Sequence, residues 1–85
     1  MFYVYVLISE SDKNFYIGYT GDLKRRIQEH NNGESRSTKY RRPLTLVYYE
    51  ACLSQKDALH REKYLKSTYG HRYLNNRIKN YRNDY

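Results

Sequence analysis

The chain has 85 residues, and its Lys and Arg outnumber Asp and Glu by 16 to 9. That length fits a single domain over residues 1–85 that hides only roughly 60 to 65% of the surface its unfolded form exposes, leaving no room for a second module. A lone cysteine, Cys52, excludes a disulfide framework or a structural zinc site within the chain, and the clustered positive charge points to a polyanionic partner.

Phe2 to Ile8 is rich in β-branched and aromatic residues, the polar stretch Ser9 to Asn14 interrupts it, and Phe15 to Tyr19 resumes it. This pattern predicts a β-hairpin. The first run is too short to span a membrane and lacks the basic start and cleavage site of a signal peptide, so a reducing, cytoplasmic location is expected. Alternation puts Phe2, Val4, Val6 and Ile8 on one face and Tyr3, Tyr5 and Leu7 on the other. On the second run Tyr16 and Gly18 oppose Phe15, Ile17 and Tyr19. If the aliphatic faces pack together, Tyr5 and Tyr16 emerge on the same side.

Asp22 offers an N-cap for a helix from about Leu23 to His30, which Asn31-Asn32-Gly33 should stop. On that helix His30 projects between Leu23 and Arg26 with Ile27 beside it, and Arg26 sits at the edge of the stripe. Glu34 to Pro43 reads as a basic loop, whose Arg36, Lys39, Arg41 and Arg42, with Lys24 and Arg25 nearby in sequence, are candidates to grip a phosphate backbone. Leu44 to Ala51 predicts a third strand. Ser54-Gln55-Lys56-Asp57 resembles a capping box opening a second helix expected to end near Gly70, and a third helical stretch follows over about Tyr73 to Tyr81.

Three positions break local rules. Glu62 falls among Ala58, Leu59 and Leu65 on the apolar stripe of the second helix, where a carboxylate needs a partner: an arginine, or a divalent cation such as Mg²⁺ that takes one protein carboxylate and fills its shell with water and phosphate oxygens. Arg26 is either a snorkelling side chain or a planar donor to phosphate oxygens. His30 is either a packed histidine or a group that bonds a tyrosine or moves a proton. There are 12 tyrosines and no tryptophan; Tyr3, Tyr40, Tyr48, Tyr49, Tyr64 and Tyr69 are explained by packing or by stacking on unpaired bases. Tyr5 or Tyr16 would act as a base only where neighbouring cations or a metal-bound water favour loss of the phenolic proton.

Taken together, Tyr3-Val4-Tyr5, Tyr16-Ile17-Gly18, Arg26 within Asp22 to Ile27, His30, and Glu62 within Leu59 to Leu65 resemble the GIY-YIG nuclease superfamily, over about residues 2 to 80 and most closely its short stand-alone bacterial members. The resemblance implies an α/β fold with a small, mainly antiparallel three-stranded sheet flanked by helices. It also implies DNA phosphodiester hydrolysis with one divalent metal, Mg²⁺ or Mn²⁺, in a setting of repair or recombination. By that likeness Tyr5 and Tyr16 are the motif tyrosines, with Tyr5 orienting or deprotonating the attacking water. Gly18 is the motif glycine, Arg26 the catalytic arginine, His30 an auxiliary histidine and Glu62 the metal ligand. Tyr3 stands where the family's name-giving glycine would be, and a late family asparagine matches Asn75, Asn76 or neither. The substrate is expected to be DNA, with RNA also compatible, chosen by shape or single-strandedness or through a recruiting protein. The competing readings are a non-catalytic nucleic-acid-binding module of the same fold and a protein-interaction domain whose basicity is incidental.

Overall fold

The structure, a computed structural model, describes residues 1–84. Its elements are β1 (Phe2–Ser9), β2 (Phe15–Thr20), α1 (Leu23–Asn31), a single 3₁₀ turn (Lys39–Arg41), β3 (Leu44–Cys52), α2 (Gln55–Leu65), α3 (Thr68–Arg77) and α4 (Lys79–Asp84). The sheet has the order β2-β1-β3, with both pairings antiparallel. The expected three-stranded sheet flanked by helices is therefore present.

The hairpin forms because β-branched and aromatic runs flank a turn that satisfies its own backbone. Ser9 Oγ accepts from the N–H groups of Ser11 and Asp12, each at 3.1 Å, and Lys13 takes φ 63° as the chain reverses. Tyr5 pairs with Gly18 on β2 and with Tyr49 on β3, so alternation carries Tyr5 and Gly18 to one face. The opposite face buries Val4, Val6 and Ile17 against Ala58 and Leu65 of α2 and Leu74 of α3. On the tyrosine face, Tyr5, Leu7 and Leu44 form a second cluster with Tyr16, Leu46 and the α1 residues Leu23 and Ile27. The connection from β2 to β3 thus passes over β1, and α1 is the part of it that packs down on the sheet.

The helix starts follow capping chemistry. Asp22 accepts from Arg25 N–H at 3.1 Å, Ser54 from Asp57 N–H at 3.3 Å, and Ser67 from Gly70 N–H at 3.1 Å. The third cap corrects the expectation that one helix runs to Gly70. Ser67 ends that run and opens α3, in which Gly70 is a contact point: a Cβ there would collide with Tyr64 O and Leu65 Cα of α2. The helical stretch expected over 73–81 is accordingly split between α3 and α4.

β3 is held to the helical layer by a polar cluster. Arg61 of α2 grips Glu50 of β3 with two bonds, of 2.8 and 2.9 Å, while Tyr48 Oη donates to Glu50 at 2.8 Å and lies 3.0 Å from Tyr73 Oη. The guanidinium also stacks over the Tyr64 and Tyr73 rings. Burial works against the Glu50 charge, but donation from Arg61 and Tyr48 outweighs it and holds the carboxyl below its ordinary range.

Candidate active site

Tyr5 sits at the middle of the central strand and is 1% exposed. Its ring lies directly over Gly18, where any Cβ would strike Oη and Cζ. The missing side chain on β2 therefore makes room for the phenol. From α1, His30 reaches the same point: Nε2 lies 2.8 Å from Tyr5 Oη, and Nδ1 lies 2.7 Å from Thr38 Oγ1. His30 and Thr38 are both fully buried. Tyr16, one turn of the pleat along β2, brings its ring centroid within 5.1 Å of His30 and 6.4 Å of Tyr5.

Arg26 lies one helical turn before His30, with 32% of its side chain exposed. It donates to Glu29 Oε1 at 3.0 Å and to Ser35 Oγ at 3.4 Å, and its charge also acts on the Tyr5 phenol. Glu62 approaches from α2. Its side chain is 20% exposed and its ion pair is with Lys66, at 3.2 Å. The same carboxylate is close enough to push the Tyr5 pKa upward. Glu62 does not occupy the centre of the apolar stripe as expected, because Leu59 is 43% exposed and the buried residues of α2 are Ala58 and Leu65. It stands at the flank of that stripe.

Burial pushes the Tyr5 pKa up to about 12; Arg26 pulls against this, and Tyr16 and Glu62 add to it. The phenol accordingly keeps its proton at neutral pH. Burial, assisted by Arg26, pulls His30 down to about 4, so the imidazole is neutral. For Arg26, burial disfavours the charge, yet the influence of Tyr5 and donation to Glu29 prevail and its pKa stands above the ordinary value.

The loop over 34–43 behaves differently from the sequence reading. Ser35, Ser37 and Thr38, unremarkable in a polar stretch, supply hydroxyls that hold the site together. Ser35 accepts from Arg26, Ser35 and Ser37 lie 3.1 Å apart, Ser37 donates to Tyr16 Oη at 3.2 Å, and Thr38 meets His30. The available sequence signal was three hydroxyl residues in the run Ser35-Arg36-Ser37-Thr38.

Among the six cations expected to grip phosphate, Lys24, Arg36, Lys39 and Arg42 are exposed. Arg25 is exposed too and pairs loosely with Glu29, at 3.7 Å. Arg41 is engaged elsewhere: it bonds Asp12 at 2.6 and 3.2 Å and the carbonyls of Asn14 and Phe15 at 3.2 and 3.3 Å, fastening the loop to the hairpin turn. Its bond is the main reason that Asp12 falls to about 2. Arg41 therefore serves the fold. Asn75 and Asn76 lie exposed on α3, and neither makes a side-chain hydrogen bond with the described residues.

Among the described residues no three His, Cys, Asp or Glu side chains gather as a metal cage. That donor set does not suit Zn²⁺ or Ca²⁺ held by protein alone. A single, partly exposed carboxylate at Glu62, whose present partner is Lys66, does suit Mg²⁺, which keeps most of its water and shares the rest of its shell with phosphate.

Residues 1–79 match the GIY-YIG catalytic domain family. A UPF0213 protein of Haloquadratum walsbyi is 46% identical over 67 residues, covering 76% of this chain and 75% of that protein. A UPF0213 protein of Streptococcus pyogenes is 45% identical over 65 residues, covering 75% of this chain and 70% of its own length. The solution NMR structure of a UPF0213 protein from Bacillus halodurans shares 36% identity and a TM-score of 0.55, over 87% of this chain and 82% of that one.

Proposed function

The chain belongs to the GIY-YIG family, and from that premise we propose that it is a divalent-metal-dependent endonuclease that hydrolyses DNA phosphodiester bonds. One observation carries the reading: Tyr5, Tyr16 and His30 converge within bonding or ring-contact distance on one face, with the charges of Arg26 and Glu62 acting on the same phenol.

In this reading Glu62 would hold Mg²⁺ or Mn²⁺, and the chemistry such an ion would supply when bound is charge neutralisation at the phosphodiester. Tyr5, protonated at rest, orients the attacking water through its oxygen, and Tyr16 supports the same water from β2. Arg26, about one-third open to solvent and fixed by Glu29 and Ser35, would face the non-bridging phosphate oxygens and stabilise the charge that builds on them. The products carry 5′-phosphate and 3′-hydroxyl ends.

The substrate class is single-stranded or branched DNA, handled in repair or recombination in the cytoplasm. Support comes from Tyr40, which is 85% exposed on the 3₁₀ turn with Lys39 Nζ 5.6 Å from its ring centroid. A largely exposed aromatic ring flanked by Lys39, on a loop pinned by Arg41, is suited to stack on an unpaired base.

The test is incubation with labelled single-stranded, duplex and branched DNA under Mg²⁺, Mn²⁺ or EDTA, beside Glu62→Ala. Removing Glu62 forfeits a partly exposed pair with Lys66, worth under about 1 kcal/mol, so the variant should fold. Metal-dependent cleavage lost in that variant is the expected result. Salt-sensitive binding with no cleavage under any metal would replace the nuclease with the binding-module reading.

A further inference from the structure

The sheet face that carries Tyr5 also carries Tyr3 and Tyr49, because Tyr5 pairs with Tyr49 and alternation along β1 returns Tyr3 to the same side. Between these two rings and the first turns of α1 runs a groove of about 570 Å³, a size that small ligands commonly occupy. Its apolar lining is Leu23 and Ile27 of α1 and Leu46 of β3, the same three side chains that pack into the cluster of Tyr5 and Tyr16. The groove is therefore continuous with the candidate active site, and Tyr3 stands two residues of β1 from Tyr5, about 7 Å.

The fold accounts for Tyr48 but not for its neighbour. Tyr48 is partly buried and its hydroxyl is taken by Glu50 and Tyr73. Tyr49 is 52% exposed, meets Tyr3 edge-on with 6.0 Å between centroids, and its hydroxyl has no partner among the described residues. Half of a large aromatic surface is thus left in water, where burial against a partner would be favourable. The polar lining is also uncommitted. Lys24 and Gln28 are exposed, and among the described residues their side chains make no hydrogen bond or ion pair. At Gly21 a Cβ would meet nothing within 4 Å, so the groove opens there.

A nucleotide matches this set of groups. Its base offers a flat face to Tyr49 and a polar edge to the Gln28 amide, which both donates and accepts, and its phosphate suits Lys24. The Asp22 carboxylate, which caps Arg25 N–H, repels phosphate but accepts from base N–H groups, so the base edge rather than the phosphate belongs beside it. The net charge of +7 favours an anionic strand, and it works against a second copy of the chain in the same groove.

We infer that the groove between α1 and β3 is a nucleotide subsite, in which an unpaired base of the substrate strand stacks on Tyr49 with Gln28 and Asp22 at its edge and Lys24 on the adjoining phosphate. This deepens the function proposed above and rests on it. The occupant is a nucleotide flanking the scissile bond, since the groove lies beside Tyr5 rather than over it. A base within a duplex would first have to leave its stack, so the subsite favours single strands and unpaired junctions.

The experiment is fluorescence anisotropy with a labelled single-stranded oligonucleotide of mixed sequence in EDTA, where binding is read without cleavage. Tyr49→Ala should weaken single-strand binding by roughly five- to a hundredfold, Tyr49→Phe should stay near the native value, and duplex binding should change little in either. Chemical-shift mapping of the native protein with the same oligonucleotide should move the amide signals of Gly21, Lys24, Gln28 and Tyr49. Native single-strand affinity in Tyr49→Ala, or unmoved groove signals at saturation, overturns the subsite and leaves the nuclease reading standing. No binding of either DNA, with or without Mg²⁺, overturns both. Self-association of the native protein that Tyr49→Ala abolishes would assign the groove to a second copy and overturn the inference. If the alanine variant fails to fold, the shift map of the native protein decides.

Discussion

Replacing Gly18 with Ala puts one methyl group where the Tyr5 phenol lies. The new Cβ would overlap Oη and Cζ and stand 3.0 Å from Cε1. A terminal atom on an exposed side chain would swing aside, but Tyr5 is 1% exposed, with Leu7 and Leu44 in its cluster, and is bonded to His30. Relief requires the ring to move off β2, which lengthens the 2.8 Å bond to Nε2. Overpacking of this kind costs roughly 1–3 kcal/mol, and a lost internal hydrogen bond adds about 1 kcal/mol. The greater backbone order of alanine in a strand returns roughly 0.5–1 kcal/mol. A net loss of about 2 kcal/mol corresponds, for a domain of this size, to a fall in Tm of roughly 8–16 °C. Gly21→Ala is the internal control, because a Cβ there meets nothing within 4 Å, and it should stay within about 0.5 kcal/mol of the native protein. Thermal and urea unfolding of the two variants measures the difference. Equal stability of Gly18→Ala and Gly21→Ala would refute the claim that the motif glycine makes room for the phenol.

Stability should also fall with acid because of His30: the unfolded side chain takes up its proton near pH 6.5 and the folded one only near 4. Between those values the unfolded chain binds more protons, so the fold loses on the order of 2 kcal/mol from pH 7 to pH 5; urea midpoints of His30→Gln should lack that slope. Arg41→Ala should lower Tm and leave the salt dependence of DNA binding as it was, whereas Lys39→Ala should reduce the slope of log K against log salt by roughly 0.7–0.9, measured by fluorescence anisotropy. Tyr40→Ala should weaken single-strand binding by roughly 1–3 kcal/mol and barely touch duplex binding; equal losses on both would remove the stacking role. Arg61→Met should cost roughly 1–3 kcal/mol in urea unfolding by breaking the two-bond contact with Glu50, and should reduce cleavage by loosening the helix that carries Glu62.

The hairpin, the side shared by Tyr5 and Tyr16, and the caps at Asp22 and Ser54 were legible in the sequence because each depends on alternation or on residues three apart. The break at Ser67 was not, since Gly70 reads locally as a helix terminator while its reason for being there is the backbone of Tyr64 and Leu65. Charge alone did not show the engagement of Arg41, whose partner Asp12 is distant in sequence and whose bonds depend on how the loop meets the hairpin turn. The hydroxyls were equally silent. Ser35, Ser37 and Thr38 look like loop filler until the fold brings Arg26, Tyr16 and His30 against them.

β1 lies between β2 and β3, so β3 has to find a partner that left the ribosome some forty residues earlier, which is about a domain's half-length of waiting. During that interval the emerging chain already contains both tyrosines, Arg26 and His30. It lacks the strand that anchors the far end of the crossing segment, where the Asn31 side chain clasps Leu44 N–H and C=O at 3.0 and 3.1 Å. Glu62 emerges later still. A chain cut short before β3 therefore holds four of the candidate side chains without the strand that fixes the segment carrying them, so the candidate site is completed only after the central strand has been paired on both edges.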